Sequence, residues 1–340
     1  MIPVSIITGF LGSGKTTLLQ RLLSDPRMGE TAVLINEFGE VGLDHLLVRK
    51  VDENIVLLNS GCLCCTIRND LVETLDELWT RRAAGDLVFN RVVIETTGLA
   101  DPVPIVHTLL TDPSLTPNFE LSSVLSTLDA IFGEQQLDEH PEAVKQAAMA
   151  DRLIITKTDL ATIESCARLH ARLSALNPTA PLLSASLEAG PAPPDLFENG
   201  LSLRRHDSAD VRLWLKEEAM SPSHGHNHGH DRNRHDDRIS AFCVYADEPL
   251  RWDVFVEWLK LLLAARGGQL LRIKGLLQIA GRERPIVIQG VQHVFYPPVE
   301  LADWPDQDHR SRLVFITRDL PRGAVERSFQ KVVSQPPQAA

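Results

Sequence analysis

Apolar runs alternate with helical patterns through about residue 185 of the chain. Val4–Ile7 reads as a buried strand and Thr17–Ser24 as a helix. Thr31–Ile35 and Ile55–Leu58 are short apolar runs bounded by turn or polar residues. Leu71–Arg82 is helical, because Leu71, Leu75 and Leu78 recur at spacings of four and three. Arg91–Ile94, Val124–Leu128 and Leu153–Ile155 read as further strands. Strands separated by helices predict an α/β unit with a doubly wound, mostly parallel sheet covered on both faces.

The pattern changes after residue 186. Gly190-Pro191-Ala192-Pro193-Pro194 is a cluster of breakers, and Ser221 to Asp237 is polar, His-rich and without apolar periodicity. Residues 187–237 are therefore expected to be a linker. Apolar periodicity returns at residue 238. Ile239–Val244, Gln269–Leu277, Pro285–Gln289 and Leu313–Ile316 read as strands, and Gly323–Val333 as a last helix. Trp252–Ala265 is strongly helical, with Val254, Trp258, Leu261, Leu262 and Ala265 expected on its buried face. Residues 238–334 thus predict a smaller α+β domain with an antiparallel sheet, following a first domain over 1–186.

Length and charge narrow the function. A chain of 340 residues suits roughly two domains at about 150 residues each. Its 34 Lys+Arg stand against 45 Asp+Glu, a net charge of −11. That acidic balance supplies no phosphate-neutralising surface for nucleic acid. No apolar run approaches the roughly 18–20 residues that span a bilayer, so no membrane partner is expected. Met1–Ile7 lacks the basic segment of a secretory leader, which predicts a cytoplasmic protein. Three of the five cysteines fall within four residues. That spacing reads as thiol or metal chemistry rather than a disulfide framework.

Three elements form a nucleotide-binding pattern. Gly9-Phe10-Leu11-Gly12-Ser13-Gly14-Lys15-Thr16 matches G-x-x-x-x-G-K-[ST] and lies between a predicted strand and a predicted helix. Gly9, Gly12, Ser13 and Gly14 supply a backbone that can curl around phosphates at a helix N-terminus. Lys15 would neutralise β/γ oxygens, the Thr16 hydroxyl would ligate Mg²⁺, and Thr17 completes the binding loop. Val92-Val93-Ile94-Glu95-Thr96-Thr97-Gly98 is an apolar strand ending in a carboxylate, with a glycine three residues on. Glu95 is placed to act through water near Mg²⁺ or to orient the attacking water, and Gly98 to offer a backbone N–H to the γ-phosphate. Ile154-Ile155-Thr156-Lys157-Thr158-Asp159 ends a strand in x-K-x-D. Asp159 can accept both the N1–H and the N2–H₂ of guanine, while Lys157 would lay its stem along the base. Thr156 stands where such loops usually carry Asn.

Cys62, Cys64 and Cys65 place three soft donors in one short loop. Thiolates suit Zn²⁺, Co²⁺ or Cu⁺, and three of them leave a fourth position open for transfer. Thiols ordinarily titrate near about 8.5, so binding must displace protons and weakens as pH falls. His224, His226, His228 and His230 alternate with small or polar residues, forming a second, flexible set of metal donors.

Taken together, the motifs resemble the CobW-type GTPases, a P-loop branch whose strand-end acid is Glu. The phosphate loop, Asn36-Glu37-Phe38-Gly39-Glu40-Val41-Gly42-Leu43-Asp44, C-x-C-C, Glu95-x-x-Gly98 and x-K-x-D follow one another in that family's order. Ile273-Lys274-Gly275 and Gly290-Val291-Gln292-His293 resemble its C-terminal domain. The resemblance implies a P-loop GTPase sheet and GTP hydrolysis coupled to delivery of a metal, often zinc or cobalt, to a metal-dependent client protein. It gives residues 36–44 a switch role, with Glu37, Glu40 and Asp44 as candidate contacts. A homodimer is compatible with this reading. Three alternatives compete with it. They are a metal buffer with weak NTPase activity, a cobalt-delivery protein of cofactor biosynthesis, and a P-loop kinase or ATPase with incidental cysteines.

Overall fold

The computed structural model describes residues 1–36, 55–58, 64–185, 194–197 and 238–333. They fall into two compact units, the first centred on Met1–Leu173.

The first unit runs β1 (Ile2–Gly9), α1 (Lys15–Leu23), β2 (Thr31–Asn36), β3 (Ile55–Leu58), α2 (Cys64–Ala84), β4 (Arg91–Glu95) and α3 (Val103–Thr111). It continues with β5 (Phe119–Asp129), α4 (Gly133–Glu139), α5 (Pro141–Met149), β6 (Arg152–Thr156), α6 (Ile163–Leu176) and β7 (Leu182–Ser184). The strands form one seven-stranded sheet in the order β3-β2-β4-β1-β5-β6-β7. Every pairing in it is parallel. Both faces are covered, so the central strands are buried along almost their whole length. On one face Leu18, Leu19 and Leu22 of α1 pack with Ile7, Val33, Val93, Leu125 and Ile154. Leu71, Leu75 and Leu78 are all buried on α2, as their spacing predicts.

Because the sheet is parallel, the C-terminal ends of β1, β4, β5 and β6 share one edge. The chain winds outward through β2 and β3, returns to β4 beside β1, and crosses to β5 on the other side of β1. Ligands of open α/β sheets bind at such a reversal, outside the carboxyl ends of the strands.

The second unit contains β8 (Ile239–Ala246), α7 (Trp252–Arg266), β9 (Leu270–Leu277), β10 (Ile286–Val291), β11 (Val294–Phe295), β12 (Val299–Glu300), β13 (Ser311–Arg318) and α8 (Arg322–Val333). Its antiparallel sheet has the order β11-β10-β9-β13-β8, with β12 on β10. Phe242, Ile273, Ile288 and Phe315 point to one face and pack against α7 and α8 through Phe255, Trp258, Leu262, Val325 and Phe329. On the opposite face Cys243, Leu276, Val287 and Val314 form a smaller cluster with Leu301.

The buried face of α7 differs from the one expected. Phe255, Trp258, Leu259 and Leu262 are buried, whereas Leu261 is 64% exposed and Ala265 is exposed as well. Apolar residues almost encircle this helix, so several stripes fit its sequence. The large rings of Phe255 and Trp258 decide which one turns inward, and Trp258 meets Phe329 of α8 at a centroid distance of 4.9 Å. Among the described residues, no helix is long and apolar enough to cross a membrane.

Candidate functional site

The end of β1 turns directly into the phosphate loop. Gly9 closes the strand and Gly12 lies exposed in the loop. Gly14 precedes α1 with φ of 88° and ψ of 21°, a left-handed conformation that disfavours any side chain. The Ser13 hydroxyl is buried and pairs with that of Thr127 on β5 at 2.7 Å. Lys15 Nζ donates to the carbonyls of Gly9 at 3.0 Å and Phe10 at 3.2 Å. Its ammonium is therefore held inside the curl of the loop. Thr17 is exposed on α1.

Thr16 and Glu95 meet at the edge of the sheet. The Thr16 hydroxyl donates to Glu95 Oε1 at 2.6 Å. Glu95 is buried at the end of β4, opposite Ile7 of β1. After β4 the Thr96 N–H donates to the Ile7 carbonyl at 2.9 Å, and a turn closes from Thr97 O to Ala100 N at 3.1 Å. Gly98 lies hard against the phosphate loop, where a Cβ would fall 2.6 Å from the Leu11 nitrogen. Only glycine fits this approach, so the loop after β4 and the phosphate loop form one packed assembly.

The end of β6 supplies the x-K-x-D segment. The Thr156 hydroxyl reaches the Ser13 carbonyl at 2.7 Å. Lys157 has a left-handed φ of 57°, uncommon for a residue with a side chain. Its Nζ pairs with buried Asp129 Oδ2 at 2.6 Å. Asp129 Oδ1 in turn accepts the Ile131 N–H at 2.8 Å. Asp159 is exposed in the turn that follows.

The strand-end geometry thus brings together Lys15, Thr16, Glu95, Gly98, Thr156 and Lys157. It adds Thr127, Asp129 and Gln146, which sequence reasoning missed. Asp129 was detectable as a charge closing an apolar strand, the same signal that marks Glu95. Thr127 and Gln146 carry no local signal, since their partners lie 114 and 48 residues away.

Cys62, Glu37, Glu40, Asp44, His224, His226, His228 and His230 lie outside the described residues. Cys64 and Cys65 open α2, and their side chains are likewise outside the description. Among the described residues, no three His, Cys, Asp or Glu side chains gather to hold a metal ion.

A phosphate loop, a strand-end acid and an x-K-x-D turn on one edge of a parallel sheet define a P-loop GTPase. The chain belongs to the CobW/HypB/UreG family, whose nucleotide-binding domain matches residues 3–184. Residues 239–333 match the cobalamin synthesis protein cobW C-terminal domain. The chain is 32% identical to the zinc chaperone YjiA of Escherichia coli over 96% of its own length and 98% of that protein. It is 29% identical to the zinc chaperone CobW of Pseudomonas aeruginosa, over 98% and 92% of the two chains. The crystal structure of Zn(II)-bound YjiA GTPase from E. coli aligns with a TM-score of 0.69 at 30% identity, covering 97% of this chain and 98% of that one.

Proposed function

We propose that the protein is a cytoplasmic, GTP-hydrolysing metallochaperone that binds Zn²⁺ at Cys62, Cys64 and Cys65 and passes it to a metal-dependent client protein. The observation that carries this reading is similarity to the zinc chaperone YjiA along nearly the whole of both chains. The three cysteines add a donor set suited to zinc. The match of residues 239–333 to a domain of a cobalamin synthesis protein supports cobalt as the alternative cargo.

In this reading Gly9, Gly12, Ser13, Gly14 and Thr17 cradle the phosphates, and the ammonium of Lys15 neutralises them. Thr16 and Glu95 are hard oxygen donors 2.6 Å apart, which suits Mg²⁺. The ion, when bound, supplies positive charge to the phosphate oxygens. Glu95 orients the attacking water, and the Gly98 N–H meets the γ-phosphate. Thr156 and Lys157 support the base-binding turn, and Asp159 accepts the two guanine donors. Residues 36–44, with Glu37, Glu40 and Asp44, follow β2 and precede the cysteine loop. That order lets γ-phosphate bias both segments together. His224, His226, His228 and His230 form a weaker, auxiliary metal set in the linker of residues 187–237. A homodimer is compatible with this scheme.

Two measurements test it together. The protein should hydrolyse GTP in preference to ATP, and Cys64→Ala should remove the tightest bound zinc. Tight ATP binding with phosphorylation of a small acceptor would instead identify a kinase.

A further inference from the structure

We propose that Gln146 of α5 is a positioning residue for GTP hydrolysis. Its side-chain amide fixes the loop after β4 in the arrangement Gly98 needs to meet the γ-phosphate. The inference rests on the nucleotide reading given above and adds a residue that no motif contains.

Gln146 is 1% exposed, in the middle of a helix whose neighbouring Ala147, Ala148 and Met149 are fully buried. Its Nε2 donates to the carbonyls of Gly98 at 3.1 Å and Ala100 at 2.9 Å. A primary amide has two N–H bonds, and here each serves one carbonyl of the same short loop. The adjacent residue of α5, Lys145, pairs with Asp101 at the end of that loop. Gln136 of α4 donates to the Leu11 carbonyl of the phosphate loop at 3.4 Å. The loop after β4 is therefore held from one side by α5 and pressed on the other against Leu11.

The chemistry separates this role from simple core filling. Burying an amide is unfavourable unless its groups are hydrogen-bonded. Gln146 Oε1 is buried without a partner among the described residues, and the residue lines a cavity of about 10 Å³ together with Phe10, Ser126 and Thr127. A leucine or methionine would fill this space without burying an unsatisfied amide oxygen of its own. What glutamine adds is the pair of donors aimed at Gly98 and Ala100. α5 is packed into the sheet, so the donors stand on a rigid support, as precise positioning requires.

The test uses the full chain. Gln146→Met keeps volume and removes both donors. Gln146→Glu places an acceptor against two carbonyls and regains one donor only when protonated. Single-turnover GTP hydrolysis, GDP affinity and thermal unfolding are measured for each variant and for the unaltered protein. Gln146→Met should lower the hydrolysis rate about 10–100-fold, the scale of a misplacement near 1 Å. GDP affinity should stay within about twofold, because GDP lacks the phosphate that Gly98 meets. Gln146→Glu should lose more at neutral pH and recover, relative to the unaltered protein, as pH falls. Folded variants that hydrolyse GTP normally would overturn the inference, as would equal loss of hydrolysis and GDP affinity. Failure of both variants to fold would make Gln146 a core residue and overturn it as well. Absence of hydrolysis in the unaltered protein would overturn the nucleotide reading, and this inference with it.

Discussion

The hydroxyl of Thr156 donates to the backbone carbonyl of Ser13 at 2.7 Å, joining the end of β6 to the phosphate loop. Gly14 packs on the same side chain, where a Cβ would lie 3.3 Å from Thr156 Oγ1. The position that departs from the usual Asn thus keeps a hydrogen-bonding side chain.

Thr156→Val should therefore lower unfolding stability by about 1–3 kcal/mol, the cost of a buried acceptor losing its donor. It should also weaken GTP binding, because the phosphate loop loses a tether to β6. Chemical denaturation and a GTP titration check both effects. Unchanged stability would mean that the hydroxyl contributes nothing to the fold.

Lys15→Ala should abolish nucleotide binding and leave the sheet folded. The ammonium donates to the loop carbonyls of Gly9 and Phe10, and phosphate is the anion its charge would serve. Nucleotide binding by fluorescence titration, with circular dichroism for folding, reads the two outcomes separately. Normal GTP hydrolysis in this variant would remove the phosphate-loop assignment.

Asp159→Asn should relax the preference for guanine over adenine nucleotides. The carboxylate accepts two guanine donors, and an amide in its place presents donors to donors. The ratio of GTP to ATP affinities is the measurement. An unchanged ratio would move base recognition to another residue.

Much of the first unit was legible because its signals are local. The phosphate loop, Glu95 at the end of an apolar strand and the Leu71, Leu75, Leu78 stripe each lie within one short window. The helices Gly133–Glu139 and Pro141–Met149 were not assigned, being short and separated only by His140. The first leaves only two of its residues buried, so its apolar periodicity is slight. The face of α7 was misjudged because apolar residues surround it. Thr127, Asp129 and Gln146 join the site only through strand order, which sets residues far apart in sequence side by side. A single sequence gives little access to that relationship.

Removing residues 224–235 should reduce the number of weakly bound metal ions and spare the tight site. Conformational entropy lost on binding opposes the affinity of imidazoles spread along a polar tract. Metal stoichiometry with competing chelators of graded strength reads this directly. Loss of the highest-affinity ion would show the two donor sets to be reversed.

The central claim is that nucleotide state controls the cysteine site. In the proposed scheme the cysteines lie between residues 36–44 and Glu95 in sequence, so γ-phosphate would bias both segments and lower the cost of bringing three sulfurs together. Coupling of about 1–3 kcal/mol would change metal affinity roughly 5–150-fold, and metal would tighten Mg-GTP binding by the same factor. The decisive measurement is zinc affinity at fixed pH by competitive titration with Mg-GTP, with Mg-GDP and without nucleotide, alongside Cys64→Ala. The account predicts tighter zinc in the Mg-GTP form, with the difference abolished in Cys64→Ala. Affinities equal within about twofold, roughly 0.4 kcal/mol, would leave no drive for delivery and would make the protein a metal buffer.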